Sequence, residues 1–94
     1  MRAEILDEVY GVVLDRIRNP RPDSYTSGLV SKGLKAVARK VGEEALEVVM
    51  ASLVEDDESI IMEAADLLYH LLVLLAVRGI PVEEVWKELE RRRR

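Results

Sequence analysis

The chain has 94 residues, enough for a single domain spanning residues 1–94, and 49% of them are hydrophobic. Its net charge of −4 argues against nucleic-acid binding, which needs a basic face. The absence of cysteine excludes disulfides and thiolate metal sites. A domain this small buries a limited share of its surface, so its apolar excess predicts self-association.

The first predicted element is an amphipathic helix over residues 3–18. Two prolines, Pro20 and Pro22, end it because they cannot continue a helix. We expect one broad apolar face to contain Ile5, Leu6, Val9, Val12, Val13 and Ile17. This helix carries no pattern that points to chemistry.

A run of hydroxyl side chains follows the prolines at residues 24–27. Ser24 or Thr26 is a candidate N-cap for a short helical turn that continues through Ser31. Gly33 is predicted to end this turn. On its own the segment is explained by turn chemistry and needs no function.

The second long helix is predicted from Leu34 to Leu53. Lys40, Glu43 and Glu47 are expected opposite its inner face, and Glu44 on the border as the glutamate nearest the core. The expected inner face consists of Leu34, Val37, Val41, Ala45, Val48, Val49 and Ser52.

A third long helix is predicted after a bend at residues 55–57, with Asp57 as a candidate N-cap, and it reaches Val77. Gly79 is a stop signal, and Pro81 begins a last helix that ends in four arginines. The longest apolar stretch, Leu67–Val77, is too short to span a bilayer, so we expect no membrane association. The pattern predicts an all-α domain of helix hairpins.

Two acidic pairs, Glu44 with Glu47 and Glu63 with Asp66, are each spaced i, i+3 and so share a helix face. Folding the chain back at the bend brings Glu44 level with Asp66, and Glu47 level with Glu63. Four converging carboxylates repel one another unless a cation lies among them. Oxygen ligands suit a hard divalent ion, Mg²⁺ or Mn²⁺ rather than Zn²⁺.

Other interpretations of these carboxylates remain open, namely a solvated helix face and structural ion pairs. The third helix favours a site because its only polar stripe is narrow and consists of Ser59, Glu63, Asp66 and His70. A di-iron centre is disfavoured since it needs a Glu-x-x-His motif on each of two helices. A lone histidine such as His70 is more often a satisfied polar group than a ligand.

Four stretches of the chain form a recognisable set: Ser24-Tyr25-Thr26-Ser27, Lys32-Gly33, the run from Lys40 to Glu47, and the run from Glu63 to Leu75. The last two contain the motif E-E-x-x-E followed by E-x-x-D. Together the stretches resemble a known family, the phosphoribosyl-ATP pyrophosphohydrolases of the all-α, MazG-like nucleoside triphosphate pyrophosphatases. The resemblance covers roughly residues 20–90.

The resemblance implies hydrolysis of phosphoribosyl-ATP to phosphoribosyl-AMP and pyrophosphate, the second step of histidine biosynthesis. It implies Glu44, Glu47, Glu63 and Asp66 as Mg²⁺ ligands, directly or through water, with Mn²⁺ as a substitute. Glu43 is the candidate for orienting or deprotonating the attacking water, or for holding a second metal.

The resemblance also implies a substrate-binding set and a homodimer whose helices pack into a four-helix-bundle-like core. Lys32 and Lys40 match basic positions suited to phosphate. Ser24, Tyr25 and Thr26 lie in the loop expected near the ribosyl-phosphate end. No signal peptide is evident at the N-terminus, so we expect a cytoplasmic protein.

Two other functions remain as alternatives. A housekeeping pyrophosphatase for non-standard or deoxynucleoside triphosphates would share the metal site and differ in its base and ribose contacts. A non-catalytic helical interaction module would need no carboxylates at these positions and should prefer apolar residues there.

Overall fold

The computed structural model describes residues 4–54 and 56–93, which form five α-helices and no strand. This confirms the predicted all-α class. The helices are α1 (Glu4–Arg18), α2 (Tyr25–Ser31), α3 (Leu34–Val54), α4 (Asp57–Val77) and α5 (Val82–Arg92). Helices α3 and α4 form a hairpin with the most extensive packing in the fold, and α4 contacts each of the other four helices.

The N-cap of α4 is Asp56, whose Oδ1 accepts a hydrogen bond of 2.9 Å from the backbone N–H of Ser59. The prediction of Asp57 as N-cap was therefore wrong by one residue. Asp57 is the first helical residue, where a negative charge is favourable beside the helix N-terminus. Glu55, also assigned to the bend, lies outside the described residues.

The core lies where α1, α3 and α4 meet, with α2 and α5 closing its sides. The predicted apolar face of α1 was partly wrong, because Ile5 and Val12 are exposed while Tyr10 and Val13 are buried. Helix α1 buries a narrow face, and Tyr10 enters the core because its hydroxyl donates to Ile80 O at 2.7 Å. The core residues are Tyr10, Val13, Leu29, Val37, Leu72, Val73, Ala76 and Val82.

The buried stripe of α3 is rotated from the predicted inner face. It consists of Val37, Glu44 and Ala51, which are spaced by two turns. Leu34, Val49 and Ser52 were expected inside and are exposed. Apolar residues occur on more than one face of α3, so periodicity alone set its orientation incorrectly. The rotation places Glu44 directly in the core-facing stripe.

The glycines predicted to end helices do so with left-handed backbone conformations. Gly33 has φ of 98° after α2, and Gly79 has φ of 71° after α4. These angles favour glycine over any residue with a Cβ. Pro81, predicted to begin the last helix, is the N-cap residue of α5, and Glu83 and Glu84 lie in the first turn.

By length and composition, α4 is the one helix in the described part of the chain that could cross a membrane. The sequence prediction was made from the stretch Leu67–Val77 alone, which is too short to span a bilayer, whereas the whole helix of 21 residues is long enough. However, α4 carries Glu63, Asp66 and His70 and packs against four helices, as the central helix of a bundle does.

Candidate metal-binding site

Three carboxylates from the α3–α4 hairpin converge on one small volume. Oxygens of Glu44, Glu63 and Asp66 all lie within 4.8 Å of one another. Glu44 is buried with 4% of its surface exposed, Glu63 is half-buried and Asp66 is exposed. The cluster therefore has a buried end at Glu44 and opens to solvent at Asp66, as a site for a solvent-accessible ligand requires.

Glu63 supplies the observation that most favours an ion at this place. Its Oε1 is buried and has no hydrogen-bond partner within residues 4–54 and 56–93. A buried carboxylate oxygen without a partner is costly, and a divalent cation removes that cost. Ligand oxygens bound to Mg²⁺ at 2.0–2.1 Å lie about 3–4 Å apart, so small side-chain adjustments suffice. The residues present fit Mg²⁺ or Mn²⁺.

Lys40 lies beside the buried end of the cluster. Its Nζ is 3.0 Å from Glu44 Oε2 and 4.0 Å from Glu43 Oε1. Burial by itself raises the pKa of Glu44, but the hydrogen bond and charge of Lys40 outweigh it and hold the pKa below its ordinary value. The same hydrogen bond raises the pKa of Lys40. Glu44 is therefore ionised and ready to act as a ligand.

Glu47, the fourth predicted ligand, is exposed and lies outside the group of three. Its carboxyl adjoins Glu63, with which it can share a proton, and Glu44 adds further repulsion. These neighbours raise the pKa of Glu47 from 4.5 to about 7. Its contact with Glu63 keeps Glu47 at the margin of the cluster, and its role as a ligand stays a prediction.

Residues 24–27, the hydroxyl segment, form the N-cap and the first turn of α2. Ser24 is the N-cap of α2 and its Oγ accepts from Ser27 N at 3.1 Å, which decides between the two predicted caps. Thr26 lies inside α2, buried, and its hydroxyl hydrogen-bonds the Tyr69 hydroxyl. Tyr25, the first residue of α2, is exposed and adjoins the cluster through His70.

His70 connects this segment to the carboxylates. Its ring is 6% exposed, with Nε2 2.7 Å from the Tyr25 hydroxyl and Nδ1 2.7 Å from the backbone oxygen of Asp66. Sequence reasoning placed His70 on the polar stripe and interpreted it as a satisfied polar group. It did not identify either partner, nor Tyr69 beside it. The i, i+4 spacing from Asp66 was the available signal.

The two remaining predicted residues lie further out. Lys32 is exposed at the C-cap of α2, and the described residues show no contact between its side chain and the cluster. Glu43 is exposed on α3 and faces Lys40. The structure thus brings together Glu44, Glu63, Asp66 and Lys40, with Glu47 and Tyr25 at the margin.

Comparison with known proteins gives a consistent result over the whole chain. A family model described as phosphoribosyl-ATP pyrophosphohydrolase matches residues 6–93. The chain is 53% identical over 94 residues to a phosphoribosyl-ATP pyrophosphatase of Saccharolobus solfataricus, covering 100% of both chains. Proteins of the same name from Saccharolobus islandicus (52% over 94 residues, 100% of both) and Sulfurisphaera tokodaii (53% over 92 residues, 98% of both) are similar to it.

Proposed function

Because the chain belongs to the phosphoribosyl-ATP pyrophosphohydrolase family, we propose that it hydrolyses phosphoribosyl-ATP to phosphoribosyl-AMP and pyrophosphate. This would be the second step of L-histidine biosynthesis, carried out in the cytoplasm. The observation that carries the proposal is the cluster of Glu44, Glu63 and Asp66, whose oxygens lie within 4.8 Å of one another. A polyphosphate substrate approaching this acidic cluster needs a cation between the two.

Mg²⁺, with Mn²⁺ as a substitute, is the proposed cofactor. Glu44, Glu63 and Asp66 would hold it, with Glu47 as a fourth ligand directly or through water. The unpartnered Oε1 of Glu63 supports this assignment. When bound, the ion supplies positive charge that offsets the negative charge of the phosphates and of the leaving pyrophosphate.

The roles of the remaining residues come from the family resemblance, and the position of Lys40 beside Glu44 supports one of them. Lys40 adjoins Glu44 at 3.0 Å and supplies a cation near the phosphates, with Lys32 further out. Glu43 lies on the exposed side of α3 and is the candidate to orient or deprotonate the attacking water.

The substrate's ribosyl end is proposed to lie at the start of α2, where the hydroxyl segment meets the opening of the cluster. Tyr25 offers an exposed hydroxyl there. Ser24 and Thr26 act mainly by shaping this end of α2, since the hydroxyl of each is already bonded within the protein. Replacing Thr26 with Ala is therefore expected to raise KM more than it lowers kcat.

The proposal is tested by measuring pyrophosphate release from phosphoribosyl-ATP, ATP and dUTP, each with Mg²⁺ and with EDTA. Metal-dependent release from phosphoribosyl-ATP alone is the expected result. Release mainly from ATP or dUTP would keep the metal site and assign the chain to the housekeeping pyrophosphatases. No release from any substrate would favour a helical interaction module.

A homodimer is proposed from the apolar residues that the α3–α4 hairpin leaves uncovered. Leu53 and Ile61 near the bend are 73% and 68% exposed, which is unusual for large aliphatic side chains. A second copy packing on this surface would complete a helical bundle. The other large apolar residues that are exposed on the hairpin are Leu34, Leu46, Val49, Met50, Val54, Met62, Leu68 and Leu71.

Light scattering coupled to size-exclusion chromatography tests the dimer. The wild type is expected at twice the mass of the chain, and the Leu53→Glu and Ile61→Glu variants at lower mass. Val12→Glu on α1, also at an exposed position, is the matched control and should keep the wild-type mass. A monomeric wild type would contradict the proposed dimer.

A further inference from the structure

We infer that His70 is a positioning residue that holds the Tyr25 hydroxyl at the edge of the carboxylate cluster as a hydrogen-bond acceptor. In that position Tyr25 receives an O–H group of the bound metal–substrate complex and does not donate to a phosphate. The inference rests on the proposed function. It adds a residue, His70, and the direction of a hydrogen bond at Tyr25, neither of which follows from the carboxylate cluster alone.

The position of the imidazole is fixed from several directions. Nδ1 lies 2.7 Å from the Asp66 backbone oxygen and Nε2 lies 2.7 Å from the Tyr25 hydroxyl. Tyr25 and Tyr69 each pack edge-on against the ring, with centroid separations of 5.6 Å and 5.7 Å. His70 therefore joins the first residue of α2 to the turn of α4 that carries Asp66.

Elementary hydrogen-bond chemistry sets the direction of the bond to Asp66 and, for a neutral imidazole, the direction of the bond to Tyr25. A carbonyl oxygen can only accept, so His70 Nδ1 carries the proton and donates to Asp66. In a neutral imidazole the other nitrogen is then an acceptor, and the Tyr25 hydroxyl donates to Nε2. The Tyr25 proton is thus committed to His70. Its oxygen keeps free lone pairs, which suit an O–H donor and not a phosphate oxygen.

The surroundings of Tyr25 place this oxygen beside the proposed metal site. Burial raises the pKa of Tyr25, and the negative charges of Glu44 and Asp66 raise it further. The positive charge of Lys40 lowers it, but the net pKa stays above the ordinary value. The hydroxyl therefore stays protonated and lies within electrostatic reach of both ends of the cluster. Because 55% of Tyr25 is exposed, an incoming ligand can reach it.

Two neighbouring hydrogen bonds hold α2 in place independently of the Tyr25–His70 bond. The Thr26 hydroxyl bonds to the Tyr69 hydroxyl, and Ser27 Oγ donates to Arg16 O at 2.9 Å. Removing the Tyr25–His70 bond should therefore leave α2 docked on α4 and α1. This makes the role of the bond in turnover separable from a role in folding.

The tautomer is measured directly by ¹⁵N NMR of the imidazole at about pH 8, where an ordinary imidazole is neutral. His70 is the only histidine of the chain, so the spectrum has a single imidazole. The expected result is a protonated Nδ1 and an unprotonated Nε2 whose shift changes in the Tyr25→Phe variant. A protonated Nε2 would overturn the inference.

Titration of the same sample identifies the donor that Tyr25 receives. A change in the Nε2 shift with MgCl₂ alone, which disappears in the Tyr25→Phe variant, assigns the donor to metal-bound water. A change only when phosphoribosyl-AMP is added with MgCl₂ assigns it to a ribosyl hydroxyl. No change with either would show that Tyr25 receives no group of the complex and would contradict the inference.

Kinetics separate positioning from simple stabilisation. Tyr25→Phe and His70→Asn are each expected to lower kcat/KM about tenfold, with no further loss in the double variant because they break one shared bond. His70→Gln should retain more activity than His70→Asn, because the longer Gln side chain can place its accepting amide oxygen near the position of Nε2, whereas the Asn amide reaches only the position of Nδ1. Tyr10→Phe, which loses a tyrosine hydroxyl bond away from the site, is the control and should keep kcat/KM.

Additive losses of kcat/KM in the double variant would show that His70 has a structural role only. Equal losses of kcat/KM in His70→Asn and His70→Gln, in proportion to their lowered melting temperatures, would show the same. If the proposed function itself is wrong, the experiments give a different result. In that case the wild type would release no pyrophosphate from phosphoribosyl-ATP, while the imidazole spectrum would still report the bond between His70 and Tyr25.

Discussion

Lys40 Nζ lies 3.0 Å from Glu44 Oε2, one turn further along α3, so the buried carboxylate of the cluster is neutralised by a partner on its own helix. Replacing Lys40 with Met leaves the buried Glu44 without this cationic partner. We expect the metal-free protein to lose about 1–3 kcal/mol in urea unfolding, less than the 3–5 kcal/mol typical of fully buried pairs, because Lys40 is a third exposed.

Mg²⁺ should restore most of this loss, since the ion also neutralises Glu44. Lys87→Met is the matched control, because the Lys87–Glu84 pair is exposed and should contribute little. Equal stability of the Lys40 and Lys87 variants would show that Glu44 does not depend on Lys40.

Glu63→Gln tests the carboxylate with the unpartnered oxygen. The variant should lose about 100-fold or more in turnover, because the ion contributes several kcal/mol to such reactions. Its metal-free melting temperature should stay the same or rise, because like-charge repulsion with Glu47 is removed. Thermal melts with EDTA and with Mg²⁺ should differ in the wild type and coincide in the variant; wild-type-like activity would refute the metal site.

Adjacent valines of α1 test the orientation of that helix. Val13 is fully buried and Val12 is exposed, although the sequence pattern placed both on the apolar face. Val13→Ala should cost about 2 kcal/mol in urea unfolding through lost burial and a residual cavity. Val12→Ala should change stability little, and a reversed order would mean that α1 is rotated.

The raised pKa of Glu47 predicts how the stability of the metal-free protein depends on pH. Its pKa is raised from 4.5 to about 7, so between these values the folded chain holds a proton that the unfolded chain releases. Stability in EDTA should therefore fall as pH rises from about 5 to 7, since the unfolded state binds fewer protons.

Melting temperatures across this range measure the effect, compared between the wild type and Glu47→Gln. The substitution should flatten the decline, while Glu8→Gln, an exposed glutamate on α1, should leave it unchanged. An identical decline in wild type and Glu47→Gln would assign the effect to other groups.

The elements of the fold were predictable because their signals are local. Pro20, Pro22, Gly33 and Gly79 mark where the chain cannot continue a helix, and the structure ends its helices there. The spacing of the acidic pairs placed them on facing sides of the hairpin, and the structure brings three of the four carboxylates together.

Orientation and contacts between elements were harder to predict. Leu34 and Val49 of α3 are apolar yet exposed, so hydrophobic periodicity had more than one solution for that helix. The bond between Tyr25 and His70 joins residues 45 positions apart, and no local pattern encodes it. Side-chain contacts of this kind follow from docking α2 against α4, which a single sequence does not specify.

The three clustered carboxylates lie between residues 44 and 66, on two helices joined by a short bend. Closing this one hairpin is enough to assemble the cluster, without the N-terminal helix or the last helix. Short loops close at low entropic cost, and local contacts favour rapid folding. We therefore expect the cluster to assemble early in folding, and the hydroxyl contacts from α2 to form when the remaining helices dock.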